Sequence, residues 1–291
     1  MTSKEKSAEL VNKFNHVFSC PICHSPMNVV DLSSLKCIKN HTFDFAKQGY
    51  VNMLTRPSNS HYDKELFSAR QKMILDSDLF TLLHKEIAKV IDQYSDVSKQ
   101  ELILLDAGSG EGSHLHRILD ECNNRKITGI GIDISKEGIK MAASHYKQSI
   151  WLVADLANSP LANESCHVIL NILSPANYEE FKRTLAPEGL LIKVVPRSNY
   201  LTEIREVLFE DTDKKTYKND KPTSLFEQHF QLLDERKISY TKELKSSQLL
   251  NLARMSPLGW NLDEEELEQR LLHRGISEIT IDLDILVGTK G

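Results

Sequence analysis

Five short apolar runs alternate with amphipathic segments between residues 101 and 196, and this alternation constrains the fold more than any other feature. The runs read ELILLDAG, ITGIGIDI, SIWLVADL, CHVILNIL and GLLIKVVP. Each is followed by residues with helical spacing, which predicts parallel strands joined by crossover helices on both faces of a sheet. Two later runs, KISYTKEL and ITIDLDILVG, are longer and more alternating. They predict an antiparallel pair at one edge of a doubly wound α/β sheet.

The chain before this sheet divides into two parts of different composition. Residues 16–60 are rich in Cys, His, Pro, Asn and Ser, with short apolar pieces that predict small strands and cannot bury a core alone. Residues 63–94 carry apolar side chains at three-to-four spacing, which predicts helix. We therefore expect a small module in residues 1–60, a helical bridge in 61–99 and the α/β domain in 100–291.

The first strand of the sheet ends at Asp106 and leads into a turn that contains Gly108, Gly110 and Gly112. Their spacing is G-x-G-x-G, whereas a nicotinamide-binding turn requires G-x-G-x-x-G. Glycines allow the backbone to approach an adenosine and a methionine tail closely. Asp106 and Glu111 add negative charge, which would repel a pyrophosphate but suits the cationic sulfonium and ammonium of S-adenosylmethionine. The turn therefore predicts a site for this methyl donor.

Two further acids follow the next two strands. Asp133 ends the second strand, where a carboxylate can accept hydrogen bonds from both ribose hydroxyls. Asp155 follows the third strand, where it can accept from the adenine amino group. Either residue alone could instead be a helix N-cap or a turn former. Three acids at three successive strand ends favour the cofactor interpretation.

Three of the five cysteines crowd into the N-terminal module, and in a reducing compartment this favours a metal over disulfides. C-x2-C and C-x3-H pairs at zinc-ligand spacing give one tetrahedral set: Cys20, Cys23, Cys37 and His41. All four positions are then filled by protein, which predicts a structural ion. His24 and His16 are nearby alternatives to His41.

Charge and hydropathy narrow the choice of partners. The net charge of −5 argues against a protein that coats nucleic acid non-specifically, although the N-terminal quarter carries a small basic excess. No apolar run is long enough to span a bilayer, and the opening residues do not resemble a signal peptide. We expect a cytoplasmic protein.

The segments CPICHSP, HTFDFAKQGYVNML, LDAGSGEG, GIDISKEGIK, NILSPAN and MSPLGW together resemble the bacterial 23S ribosomal RNA (guanine-N1)-methyltransferases over nearly the whole chain. The resemblance implies an N-terminal zinc ribbon, a Rossmann-like class I methyltransferase domain, and methylation of one guanine in a hairpin loop of 23S rRNA. It places cofactor contacts at Gly110, Glu111, Phe80 and Tyr200. A homodimer would suit a folded RNA hairpin, which often needs more surface than one module supplies.

Lysines and arginines of the ribbon could contact phosphate, and unpaired bases could stack on its aromatic residues. The basic candidates are Lys36, Lys39, Lys47 and Arg56. Among the aromatic residues, a core role is favoured for Phe43 and Phe45, whereas for Tyr50 both base stacking and a core role are left open.

Methylation at guanine N1 requires that the base leaves its stack, that N1 loses its proton, and that N1 faces the sulfonium methyl in line. After the fourth strand, Ser174 or Asn177 could position the guanine edge or simply form a turn, and Asn171 is a further candidate for the catalytic site. Arg197 and Lys193, at the end of the fifth strand, could stabilise charge on O6 or bind phosphate. The alternative is a small-molecule methyltransferase in which the zinc module is only a lid, which would not depend on RNA.

Overall fold

The computed structural model describes residues 1–57, 62–95, 101–122, 126–208, 220–256, 258, 264–273 and 275–291. Half of the MSPLGW segment lies outside these residues. The strands are β1 (Met27–Val30), β2 (Ser34–Cys37), β3 (Thr42–Asp44), β4 (Val51–Asn52), β5 (Leu102–Ala107), β6 (Ile127–Asp133), β7 (Ile150–Val153), β8 (Cys166–Ile172), β9 (Leu185–Pro196), β10 (Gln231–Glu243) and β11 (Glu278–Thr289).

The described helices flank these strands. They are α1 (Ser3–Lys13), α2 (Lys64–Asp76), α3 (Thr81–Tyr94), α4 (Ser113–Glu121), α5 (Lys136–His145), α6 (Tyr178–Thr184), α7 (Thr202–Leu208), α8 (Asp220–His229), α9 (Ser246–Met255) and α10 (Glu264–His273). Within the described residues, no helix is both long and apolar enough to cross a membrane.

The large sheet has the strand order β10-β11-β9-β8-β5-β6-β7-β4. Strands β4 to β9 within it pair in parallel, whereas β11 pairs antiparallel with both β9 and β10. This confirms the doubly wound sheet and the antiparallel pair at its edge. Every residue of β5 is buried, as expected for a central strand covered on both faces. The carboxyl ends of the parallel strands therefore meet at one edge, where a doubly wound fold binds its ligand.

Two apolar layers cover the sheet. Side chains from α2, α3, α4 and α5, together with α7, α9 and α10, form the core on one face. Side chains from α1, the N-terminal module, α6 and α8 form the core on the other face. The module therefore occupies a place on the sheet where a doubly wound fold usually has a helix.

The N-terminal module is a three-stranded antiparallel sheet in the order β1-β2-β3. The next strand, β4, leaves it and pairs in parallel with β7, and the Met53 amide donates to the Val153 carbonyl at 2.8 Å. The module shares its core with the large sheet, as expected for a segment too small to fold around its own core. Phe43 and Phe45 are core residues as predicted, and Tyr50 is buried as well. Tyr50 is buried because it immediately precedes β4, where the chain enters the large sheet.

The predicted helical bridge is two helices with a break between them. Asp63 caps α2 by accepting a hydrogen bond from the Leu66 amide at 2.7 Å. The break falls where the Ser77 hydroxyl donates to the Met73 carbonyl and Asp78 adopts φ +53°. It places Phe80 at the start of α3, fully buried.

Candidate functional site

The four predicted zinc ligands converge in the N-terminal module, with all ligand atoms within 4.8 Å of one another. Cys23 Sγ lies 3.7 Å from Cys37 Sγ, and Cys20 Sγ lies 3.4 Å from His41 Nδ1. Tetrahedral zinc with bonds of about 2.3 Å to sulfur and 2.0 Å to nitrogen requires edges of roughly 3.5–3.8 Å. The side chains are therefore already placed for one zinc ion bound by four protein atoms, which leaves no position for a substrate.

Two tight turns hold these ligands. His24 N donates to the Cys20 carbonyl at 2.7 Å, and Asn40 N donates to the Cys37 carbonyl at 2.9 Å. Asn40 has positive φ, which turns the chain so that His41 comes back beside Cys37, and His24, directly after Cys23, also has positive φ. His24 and His16 are exposed and lie outside the cluster, so His41 is the nitrogen ligand that the structure places among the three sulfurs.

The glycine turn joins β5 to α4, and all three of its glycines have positive φ. A Cβ at Gly108 would lie 2.1 Å from Ser174 Oγ, and a Cβ at Gly112 would lie 2.4 Å from the Trp151 ring. A Cβ at Gly110 would lie 1.8 Å from the Nη1 atom of Arg70. The turn therefore needs glycine for its backbone conformation and for close contact with three other elements.

Buried acids surround this turn. Asp106 Oδ2 and Ser109 Oγ are buried and have no hydrogen-bond partner among the described residues. Glu111 is fully buried, and its Oε2 lies 3.2 Å from Nη1 of Arg70. The pKa of Asp106 is raised to about 7, chiefly by burial; the Arg70 guanidinium opposes this shift, and the neighbouring Asp133 and Glu111 add to it. Unsatisfied buried oxygens at a glycine turn fit a cationic ligand, so the residues present suit S-adenosylmethionine.

The other two predicted acids differ in their surroundings. Asp133 accepts from Gly110 N and from Ser135 N, both at 2.8 Å, so it ties the glycine turn to the end of β6. Each of its oxygens keeps a lone pair that could accept a ribose hydroxyl. Asp155 is exposed and accepts from the Ala157 amide at 2.8 Å, as an N-cap of the short 3-10 turn that follows. The N-cap interpretation therefore accounts for the observed contact of Asp155.

Phe80 and Tyr200 approach the turn from the side of the helical bridge. The Phe80 ring meets His114, in the first turn of α4, edge-on with ring centroids 5.2 Å apart. Burial raises the pKa of Tyr200; neighbouring Tyr240 adds to this shift, and the Arg70 guanidinium opposes it. Both aromatic residues therefore lie around the same group of side chains as the buried acids.

The candidates after β8 form a hydrogen-bonded unit. Asn171 is fully buried and donates to the carbonyls of Ala107, at 2.9 Å, and Pro175, at 3.1 Å. Its Oδ1 accepts from Lys193 Nζ at 2.5 Å, and Lys193 also donates to the Ser174 carbonyl at 3.2 Å. Burial lowers the pKa of Lys193 to about 8. Both amide hydrogens of Asn171 are donated to these carbonyls, so Asn171 holds the loop against β5. Ser174 is the residue of this loop that contacts the glycine turn.

In the part of the chain that the structure describes, Arg197 forms ion pairs with β11 and not with residues of the glycine turn. Its guanidinium lies 2.8 Å from Asp282 Oδ1 and 3.3 Å from Asp284 Oδ1, both on β11. These contacts join the end of β9 to the antiparallel edge of the sheet. Arg197 is about a third exposed and keeps part of its surface for another partner.

Sequence reasoning missed one residue of this site. Arg70 lies within a helical segment with no motif around it, and only the packing of α2 brings it to Gly110, forty positions later. Lys193 was recognised only as a residue near a strand end, because its contact with Asn171 depends on the pairing of β8 with β9.

Protein-family models match both the N-terminal module and the α/β domain. A zinc-ribbon family described as "RlmA, N-terminal" matches residues 18–59, and a family described as "Methyltransferase domain" matches residues 104–189. Among solved structures, YjhP of Escherichia coli matches with a TM-score of 0.50, covering 79% of this chain and 100% of its own. Its sequence identity is 14%, so this likeness concerns the fold alone.

Two curated relatives match almost from end to end. YxjB of Bacillus subtilis, named as a proposed 23S rRNA (guanine-N(1)-)-methyltransferase, is 38% identical over 94% of this chain and 97% of its own. The 23S rRNA (guanine(748)-N(1))-methyltransferase of Streptomyces fradiae is 30% identical over 92% of this chain and 95% of its own. The matches run through both the zinc module and the glycine turn, and on this evidence the chain belongs to the 23S rRNA (guanine-N1)-methyltransferase family.

Proposed function

We propose that the protein transfers the methyl group of S-adenosylmethionine to N1 of a guanine in a hairpin loop of 23S rRNA. The observation that carries the cofactor assignment is the set of buried acids with unsatisfied oxygens at the glycine turn. The substrate assignment rests on the named activity of the relatives. A guanine in a loop is also easier to unstack than one in a duplex, and N1 must be exposed before it can react.

The bound cofactor supplies an electrophilic methyl group. We assign Asp106, Glu111 and the glycine turn to its methionine part, and Asp133 to its ribose. Phe80 and Tyr200 are assigned to the wall of the site on the side of the helical bridge. Asp155 is kept as a candidate for the adenine amino group, provided that it can do so without giving up its N-cap contact.

On the substrate side, the loop after β8 lies over the glycine turn, so Ser174 is the candidate best placed to meet the guanine edge. Asn171 and Lys193 act behind it by holding the loop. Arg197 is a more distant candidate for phosphate, since it is held by β11. No side chain is assigned as the base that removes the N1 proton.

The N-terminal module is proposed to contact the RNA. Lys39, Lys47 and Arg56 are exposed, and Lys36 is partly exposed. Such side chains can neutralise phosphates, and the remainder of the chain carries a net negative charge. A homodimer would enlarge this surface, and a cytoplasmic location follows from a ribosomal RNA substrate. The boundaries at residues 60 and 99 are kept as working limits of the RNA-binding module and the bridge.

Incubation of the protein with methyl-labelled S-adenosylmethionine and unmodified 23S rRNA tests the proposal. Digestion to nucleosides should yield labelled 1-methylguanosine, and mass mapping should place it in one hairpin loop. Label in another nucleoside would contradict the N1 assignment. Turnover of small phenols or quinones with no label in RNA would favour the small-molecule alternative.

A further inference from the structure

Arg70 brings a positive charge to the glycine turn. It lies on α2, outside the methyltransferase sheet, and its Nη1 atom is 3.2 Å from Glu111 Oε2 and 3.4 Å from the Ser109 carbonyl. Its side chain is only 16% exposed. Within the described residues, the Ser109 carbonyl is its one hydrogen-bond acceptor, although a guanidinium carries five N–H donors. Most of the donors of this partly buried group are therefore available to a ligand.

The charges around the glycine turn are unbalanced. Asp106, Glu111 and Asp133 are acids, and the Arg70 guanidinium acts on the ionisation of both Asp106 and Asp133. The nearest buried histidine, His114, is held neutral because burial lowers its pKa. The methionine end of S-adenosylmethionine brings a sulfonium, an ammonium and a carboxylate. The acids suit the two cations but would repel the carboxylate, which needs a cation of its own.

We propose that Arg70 binds the carboxylate of the methionine part of S-adenosylmethionine, exchanging its contact with Glu111 for one with the ligand. This rests on the proposed function, since it concerns the same cofactor. Glu111 then becomes available to the ammonium of the ligand. Two ion pairs, Arg70 with the carboxylate and Glu111 with the ammonium, replace the single Arg70–Glu111 pair of the free protein. A guanidinium suits this exchange because its planar N–H groups can hold a carboxylate at two points.

The surroundings of Arg70 place it for this role. Phe67, one helical turn earlier, lies against both Gly110 and Gly138, so α2 packs directly on the turn. Phe67 and Ala69 are buried, which fixes the rotation of α2 about its axis. Gly110 lacks a Cβ at the point where Arg70 passes, so the guanidinium can lie directly over the backbone of the turn.

The test compares two ligands by isothermal titration calorimetry: S-adenosylmethionine and decarboxylated S-adenosylmethionine. The second retains the adenosine, sulfonium and ammonium and lacks only the carboxylate. The unaltered protein should prefer the first ligand by about 10- to 100-fold in Kd, the range of a charge-assisted hydrogen bond. In Arg70→Met this preference should fall to within about threefold, and Arg70→Lys should retain an intermediate preference because it keeps the charge but loses the fork.

Removal of Arg70 leaves the Glu111 carboxylate buried without its partner, which can destabilise the fold. The double variant R70M/E111Q removes that charge and should show the same loss of preference for the carboxylated ligand. Lys72→Met, an exposed lysine on the same helix, is the matched control and should keep the full preference.

A preference that survives in both R70M and the double variant would overturn the inference while leaving the proposed function intact. An equal loss of affinity for both ligands in these variants would also overturn it, because Arg70 would then act only on the shape of the site. Failure of the unaltered protein to bind either ligand would overturn the proposed function and the inference with it.

Discussion

At the scale of single residues, we expect Asp106 to make the proposed cofactor site sensitive to pH. It is buried at the end of β5 with one oxygen unsatisfied among the described residues, and its pKa is raised to about 7. A cationic ligand beside it favours the ionised form, so a protonated Asp106 must release its proton when the ligand binds. Binding should therefore become tighter as the pH rises towards and through 7.

We predict that the affinity for S-adenosylmethionine increases by up to about tenfold per pH unit between pH 5.5 and 7 and levels off above pH 8. Asp106→Asn cannot ionise, so it should bind more weakly at pH 8 and lose this dependence. Calorimetry in buffers of different ionisation enthalpy measures both the affinity and the proton release. Affinity of the parent protein that does not vary across this range would refute the assignment.

The same residue has the opposite effect on stability. Because its folded pKa lies above the unfolded value of about 3.8, the folded state holds its proton more tightly between these values. The contribution of Asp106 to the free energy of unfolding therefore falls as the pH rises from about 4 to 7. Asp106→Asn should thus be more stable than the parent at pH 8, which separates a local charge effect from a damaged fold.

At the scale of elements, α3 and α4 meet through two buried histidines. His84 Nε2 lies 2.8 Å from His114 Nδ1, a distance that requires one nitrogen to donate and the other to accept. Burial lowers the pKa of both; Arg117 adds to the shift of His84, which reaches about 3, and Arg70 adds to that of His114. The contact between α3 and α4 is therefore stable when both imidazole rings are neutral.

Acid should weaken this contact. The unfolded chain takes up protons near pH 6.5, whereas folded His84 remains neutral down to about pH 3, so the free energy of unfolding falls as the pH drops through that window. Two such groups correspond to about 4 kcal/mol between pH 7.5 and 5. The double variant H84L/H114L should lose this dependence, because paired apolar replacements leave no unpaired nitrogen.

Urea unfolding at pH 7.5 and pH 5 measures the difference between parent and variant. His145→Leu, at an exposed position on α5, is the control and should follow the parent. If the double variant loses as much unfolding free energy between pH 7.5 and pH 5 as the parent does, other groups are responsible for the sensitivity to acid.

At the scale of the whole molecule, the zinc module is part of the sheet rather than an appendage. Strand β4 extends the sheet beside β7, and residues 52–57 continue to its carboxyl edge. There Asn52 and residues 54–57 line a cleft of about 520 Å³ together with Tyr62 and with Ile134 to Glu137, which follow the ribose candidate Asp133. Loss of zinc should therefore also disturb the backbone of residues 52–57 at the edge of the proposed cofactor site.

We predict that Cys23→Ser, or removal of zinc with a chelator, increases hydrogen exchange in residues 18–46 and also in residues 50–57 and 150–156. The second effect follows because the pairing of β4 with β7 depends on the position of the module. Residues 102–107, in the middle of the sheet, should remain protected. Cys122→Ala, at a buried cysteine in the core on the other face of the sheet, should leave residues 18–46 unchanged. An effect confined to residues 18–46 would show that the module unfolds independently.

Short sequence motifs by themselves determined much of the fold and of the candidate sites of this protein. The alternation of apolar runs predicted the order of β5 to β9, the spacing of three glycines predicted the cofactor turn, and C-x2-C with C-x3-H predicted the zinc ligands. These signals are readable because each depends on residues a few positions apart, whose relative placement is set by helix, strand or turn geometry.

Only the tertiary structure decided which distant groups meet. Arg70 reaches Gly110, Lys193 reaches Asn171, and His84 reaches His114 because elements pack or pair across the sheet. The burial of Tyr50 and the N-cap contact of Asp155 were decided in the same way, by the entry of β4 into the sheet and by the turn after β7. A local pattern carries no record of its long-range neighbours, since the free energy that selects them comes from burial shared among many segments.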